Sequence, residues 1–384
     1  MENSIAPQIS PIAEPSPGSR ARWPGLDGLR GVAILLVFAF HLPLDVFRAG
    51  SYGVTVFFVL SGFLITNILL DELRTKERVE LRWFYGRRAA RLLPALLLVV
   101  LGHLILQITV LGEPEKWWER TWPVLAYVAN LAAVAGADLV HMSHTWSLAI
   151  EEHFYILWPL ILVAIKPRWR LISAWTLAIG FAGWRLALLL VGGGNVRVFF
   201  STDTNAFALL LGCALAITYL ERPPREMGPS ISTISVGSVI LASTIPWDFA
   251  DRRLLYLTIP VAALAAVAVW ALITTPSTWL EFPLLRWFGR ISYGLYLWHF
   301  VLISMPWERW PMPVTLPMVL TPIAAAAISY YFVEAPVLSL WRRYEINRRK
   351  PASPQLEGRL FSLANPAGGL QPVAADSREA IRIE

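Results

Sequence analysis

Eleven apolar stretches, most of them near the length of a membrane span, divide the chain: 29–47, 53–70, 92–111, 122–138, 146–165, 171–191, 204–220, 231–247, 255–274, 291–307 and 314–338. Crossing a hydrocarbon core about 30 Å thick takes about 20 mostly apolar helical residues. Closed-up runs of this kind, without strict alternation, indicate helices and not barrel strands, because backbone polar groups in lipid must be satisfied internally. Of the 384 residues, 56% are hydrophobic and only 16% charged. That is too little charge for a water-facing surface and too much apolar content for a disordered chain. The fold class read from this is all-α: a polytopic transmembrane helix bundle, multi-pass in the cell membrane, with lipid as its surroundings. The single cysteine, Cys213, lies in an apolar run and reads as a small buried residue without an intrachain disulfide. No Cys/His spacing suggests zinc, so no metal is expected.

The formal net charge is +6. In a soluble chain that would point to nucleic acid. In a membrane chain the placement of Lys and Arg reports orientation instead, and no nucleic-acid partner is expected. The loop 71–91 carries Arg74, Lys76, Arg78, Arg82, Arg87, Arg88 and Arg91 and is read as cytoplasmic, which places the N-terminus inside. If 122–138 crossed, Lys166, Arg168, Arg170 and the basic cluster 342–350 would fall outside. If it dips or lies flat, both become cytoplasmic. The expectation is ten spans with both termini cytoplasmic, which leaves most of the 33 Lys and Arg inside. Residues 1–22 read as a disordered N-terminal tail, 23–343 as the membrane domain and 344–384 as a mostly disordered cytoplasmic tail.

Ionisable groups inside a membrane domain are costly and so are functional candidates. His41 lies eleven residues after Arg30, about 16 Å along a helix and past the midplane. Glu151 and Glu152 follow the start of the fifth stretch by five and six residues, about 8–9 Å down from the outer end. Adjacent helical residues point about 100° apart, so one glutamate is expected to face His41. A neutral imidazole with a carboxylate fixing its tautomer is a general base for a hydroxyl. Arg88 and Arg91 share a helix face at the inner mouth, with Arg30 nearby, and guanidinium forks suit phosphate. Arg87 reads as a topology anchor. His299, among aromatics, reads as a satisfied core histidine, and His103, His141, His144 and His153 as structural. A structural pairing of Glu151 or Glu152 with Arg185 is the bland alternative. A donor with a phosphorylated handle and a thin reactive arm fits this layout, acyl-coenzyme A being one. The rival functions are a proton-coupled transporter using the same His and Glu, and a non-catalytic scaffold.

Leu26-Asp27-Gly28-Leu29-Arg30-Gly31 through His41 resembles the Arg-x10-His signature of the acyltransferase-3 family of integral membrane O-acyltransferases. The run Gly53 to Thr66, the Arg-x-x-Arg of Arg88 and Arg91, and Trp146-Ser147-Leu148 with Glu151-Glu152 are similar to further family motifs. So are Gly289-Arg290-Ile291-Ser292-Tyr293 through His299 and Val333-Glu334-Ala335-Pro336, all in the family's order over roughly 23–343. The resemblance implies ten spans, acyl-coenzyme A (often acetyl) as donor, and a hydroxyl acceptor on a carbohydrate, glycolipid or small molecule. It also implies importance for Arg30, His41, Arg88, Arg91 and a glutamate of the pair. Two departures stand out: Asn205 and Phe207 occupy positions where the family usually has Arg and Asp. The esterase-like domain that many members carry is expected to be absent.

Overall fold

The computed structural model describes residues 23–43, 46–222, 225–246, 251–307 and 315–349. Residues 1–22 and 350–384, most of the two tails read from sequence, lie outside the described residues. Residues 344–349 continue as helix. The chain divides into two compact units, 1–337 and 338–384, and every residue of the site belongs to the first.

The described elements are helical: α1 Pro24–His41, α2 Tyr52–Lys76, α3 Leu81–Leu106, α4 Trp117–Leu125, α5 Ala129–Val134, α6 Trp146–Ala164, α7 Pro167–Leu190, α8 Asn195–Phe200, α9 Thr202–Glu221, α10 Pro229–Ser243, α11 Arg253–Thr274, α12 Pro283–Ile303, α13 Thr315–Ser329 and α14 Ala335–Arg349. Eight helical runs are long and apolar enough to cross a membrane: 24–41, 52–76, 81–111, 140–164, 167–190, 195–221, 253–274 and 316–348. The apolar α10 is shorter, at 15 residues, and the 21-residue α12 carries Arg286 and Arg290 near its start; counting both is consistent with the ten spans expected from sequence.

The stretch 122–138 does not form a span. It is broken into α4 and α5, of nine and six residues, and nine helical residues rise only about 14 Å. Helix direction agrees. The Tyr85 hydroxyl donates to the Ile156 carbonyl at 3.0 Å, and Arg88 meets Glu152 at 2.5 Å, so α3 and α6 run antiparallel. A crossing between them would have made them parallel. The ends of the linker are tied by Arg120, which donates to Glu113 at 2.8 Å and Asp138 at 3.2 Å. Lys116 also donates to Glu113, and the two cations hold its carboxyl down to about 2. Asn130 in α5 anchors the segment to α9 through the Thr202 hydroxyl at 3.0 Å.

Two close helix crossings build the core. In the first, α1 and α12 run parallel. A Cβ on Gly28 or Gly31 would overlap the Leu280 or Leu285 carbonyl, and one on Gly289 would overlap the Asp27 carbonyl. In the second, α2 and α9 interlock through Gly62 against the Leu209 carbonyl and Gly212 against the Val59 carbonyl. Small residues let backbones approach where lipid offers no hydrophobic drive between helices. The apolar stretch opens at 29 in sequence, but the helix begins at Pro24, with Gly25 packed on Leu272 of α11 and Gly28 on the Leu280 carbonyl just before α12. His41 closes α1 at its far end, about 26 Å from Pro24.

Gly212→Ala is expected to lower stability by about 1–3 kcal/mol through overpacking, read as unfolding in bicelles. Gly237→Ala, with open space around the new methyl, is expected to stay within about 0.5 kcal/mol of the parent.

Candidate functional site

Helices α1, α2, α3, α6 and α12 enclose a cavity of about 160 Å³. One wall is an apolar stripe of α2, Phe57, Leu64, Ile65 and Ile68. The facing walls carry three guanidinium groups, Arg30, Arg88 and Arg91, the carboxylate of Glu151, and the hydroxyls of Ser147, Ser292, Tyr293 and Tyr296. Sites that enclose a whole ligand run to roughly 300–1,000 Å³. This volume suits the narrow arm of a larger molecule whose bulk stays outside.

The adjacent glutamates diverge, as their helical spacing demands. Glu152 is buried and takes a forked pair from Arg88, with Nε 3.1 Å from both carboxylate oxygens and Nη2 2.5 Å from Oε1. The same guanidinium lies over the Tyr155 ring, 3.1 Å from its centroid. Glu151 instead turns to the cavity and accepts from the Ser61 hydroxyl at 3.1 Å. Arg30 donates to the Ser292 hydroxyl at 3.3 Å, across the α1–α12 contact. Arg91 is exposed and makes no side-chain hydrogen bond among the described residues, while the buried Glu334 lies within its electrostatic reach. Of the three arginines, Arg91 is thus the least committed to the protein, whereas Arg88 is held by Glu152.

His41 is not part of the cavity wall. Beyond Tyr296 lies a cluster of three imidazoles that the α1–α12 contact assembles. The rings of His41 and His299 are 4.9 Å apart, those of His299 and His144 5.1 Å, and Tyr296 is 5.6 Å from His299. His299 Nε2 is 3.3 Å from His41 Nδ1. Tyr296 lines the cavity and also packs against His299 and His144. Its hydroxyl donates to the His144 carbonyl and so accepts from the Ser147 hydroxyl at 2.7 Å.

The structure changes the pairing expected for His41 and removes the alternative pairing of the glutamates. The group beside His41 is an imidazole, not Glu151 or Glu152, because α12 lies along α1 where α6 was expected. Neither glutamate pairs with Arg185. That side chain is buried against α9 and α11 and donates to the carbonyls of Leu255, Val198 and Thr204, the Asn205 amide oxygen and the Thr258 hydroxyl. A guanidinium from α7 therefore stands against Asn205, where the family pattern would place one on α9 itself. His299 is buried and hydrogen-bonded to the Tyr296 and Leu295 carbonyls, in keeping with a satisfied core histidine, and it and His144 also lie in the His41 cluster. The signal was present in the spacing. Eleven residues from Arg30 to His41 are about three turns, and seven from Ser292 to His299 about two, so each pair lines one face of its helix. Among the described residues no group of three or more His, Cys, Asp and Glu is arranged to hold a metal ion.

The described residues thus form a multi-pass helical bundle with cationic groups in one cavity and imidazoles beyond it. The profile of the acyltransferase-3 domain matches residues 23–334, and the chain belongs to that family of acyltransferases. YrhL of Bacillus subtilis is 32% identical over 405 residues, covering 92% of this chain and 63% of its own. The peptidoglycan O-acetyltransferase OatA of Listeria monocytogenes is 33% identical over 355 residues, covering 83% of this chain and 56% of its own. The chain thus spans about three fifths of the length of these relatives. No solved structure matches it.

Breaking the Arg88–Glu152 pair from one side leaves a buried charge, with an expected cost of about 3–5 kcal/mol for Arg88→Met. Adding Glu152→Met should restore most of that loss. Additive losses in thermal unfolding of the two single variants and the double variant would argue against the pair.

Proposed function

We propose that the chain transfers an acyl group, acetyl in the first instance, from acyl-coenzyme A to a hydroxyl of a carbohydrate acceptor of the cell envelope. The peptidoglycan acetylation in the name of the Listeria relative supports a glycan acceptor. A glycolipid or a small secreted molecule offers the same hydroxyl chemistry. The observation that carries the reading is the placing of two groups along α1 and α12: a cavity walled by Arg30, Arg88, Arg91 and Glu151, and, past Tyr296, the histidines.

On this reading Arg91 and Arg30 hold the donor's phosphates at the inner mouth, with Arg88 fixed by Glu152 beside them. The arm enters the cavity, and its thioester reaches past the Tyr296 ring. His41 Nε2 takes the proton from the acceptor hydroxyl. The freed oxygen bonds to the thioester carbonyl carbon, the C–S bond breaks, and the proton passes to the departing thiolate. Glu151, hydrogen-bonded to Ser61 on the cavity side, supports the positively charged wall and does not touch the reacting hydroxyl. The buried setting of His299 and His144 keeps water from the thioester, whose hydrolysis competes. Relatives with acetyltransferase names weigh against the carrier reading.

Purified full-length protein, given labelled acetyl-coenzyme A and muropeptides, is expected to release free coenzyme A and label the glycan. His41→Ala should lower kcat by about 10²–10⁴ while the protein stays folded; unchanged turnover removes His41 from the chemistry. Arg91→Ala should raise KM for acetyl-coenzyme A about tenfold, the loss of one charge-assisted contact of about 1.5 kcal/mol, with kcat nearly constant. A change confined to acceptor KM would place the donor elsewhere.

A further inference from the structure

We infer that His299 is a positioning residue for His41: its Nε2 lone pair accepts the Nδ1–H of His41 and thereby leaves His41 Nε2 as the basic nitrogen. This rests on the reading of His41 as the general base.

The tautomers follow from the partners. His299 Nδ1 is 2.6 Å from the Tyr296 carbonyl oxygen and 3.1 Å from that of Leu295. Carbonyls only accept, so Nδ1 carries the hydrogen and Nε2 carries a lone pair. His41 Nδ1 is 2.8 Å from the Val37 carbonyl oxygen and 3.3 Å from that lone pair. Both neighbours accept, so Nδ1 of His41 is also the protonated nitrogen, its hydrogen shared between them. Its Nε2 is left with the lone pair a base needs. A histidine's reactive nitrogen is commonly set by the hydrogen bond the other nitrogen makes, and the usual partner is a carbonyl or a carboxylate. Here it is a carbonyl from the same helix together with an imidazole from a parallel one.

The surroundings give His299 little freedom to serve in another way. It is fully buried, with Phe38 of α1 against one edge, Phe300 of its own helix and His144 from the turn before α6. Both His144 nitrogens lack a hydrogen-bond partner among the described residues, so His144 offers no competing bond. No carboxylate among the described residues bonds either ring. A neutral acceptor orients His41 without stabilising its imidazolium as an anion would. That suits a base which must return its proton promptly to a thiolate.

The test compares His299→Ala, His299→Phe and His299→Gln in the full chain, with acetyl-coenzyme A as donor and muropeptides as acceptor. Gln offers an amide oxygen near the Nε2 position, Phe keeps the ring without an acceptor, and Ala removes both. Ala and Phe should lower kcat about ten- to a hundredfold, with KM for acetyl-coenzyme A unchanged, and Gln should stay within about threefold of the parent kcat. Gln as impaired as Ala, or Phe as active as the parent, overturns the proposal. If Phe does not fold, the Ala–Gln comparison decides on the same terms. A full-activity His299→Phe beside an inactive His41→Ala sinks only this inference, whereas an active His41→Ala sinks the base assignment itself.

Discussion

Contact between α1 and α12 is the constraint on which the rest depends. Gly28, Gly31 and Gly289 remove the side chains that would hold the two backbones apart. Once they touch in parallel, register does the rest: Arg30 meets Ser292 near the start of the contact and His41 meets His299 near its end. A cationic group and a paired imidazole are thereby fixed on one seam, about three helical turns apart. Without hydrophobic drive between helices in lipid, such small-residue packing and interhelical hydrogen bonds hold the arrangement.

The second crossing, α2 against α9, leaves one face of α2 to line the cavity while α6 and α3 close the other sides. The Arg88–Glu152 fork is the tie between α3 and α6. Buried ion pairs are weak evidence of stability in themselves. Here the pair orients: it turns Glu152 to α3, which leaves Glu151 for the cavity and Ser61. The two carboxylates adjacent in sequence thus have different environments and, on the proposed reading, different work. Arg185 makes a similar trade, one guanidinium satisfied by oxygens from α8, α9 and α11 without a carboxylate.

Much of the fold was legible in the sequence because lipid leaves few options. Apolar length marked the spans, and arginine placement argued that 122–138 should not cross, as its broken helices and the antiparallel α3 and α6 bear out. The family was legible from motifs, and the site residues Arg30, Arg88, Arg91 and Glu151 do converge on one cavity. What sequence could not supply was which helices touch. Depth along a span placed His41 and the glutamates at similar height, but height says nothing of azimuth, and α12 took the place expected of α6. The start of α1 was placed late because apolar length alone opens the stretch at 29, whereas the helix begins at Pro24 with Gly25 packed on Leu272 of α11 and Gly28 on the Leu280 carbonyl.

On the proposed account, donor and acceptor meet from opposite faces of the membrane along the α1–α12 seam. The most direct measurement is sidedness of transfer in sealed vesicles of uniform orientation, with labelled acetyl-coenzyme A supplied only on the face of the basic loop 71–91 and muropeptides confined to the other. The account predicts labelled muropeptide on the far side and free coenzyme A on the near side. Label appearing only when both substrates share one face would contradict it.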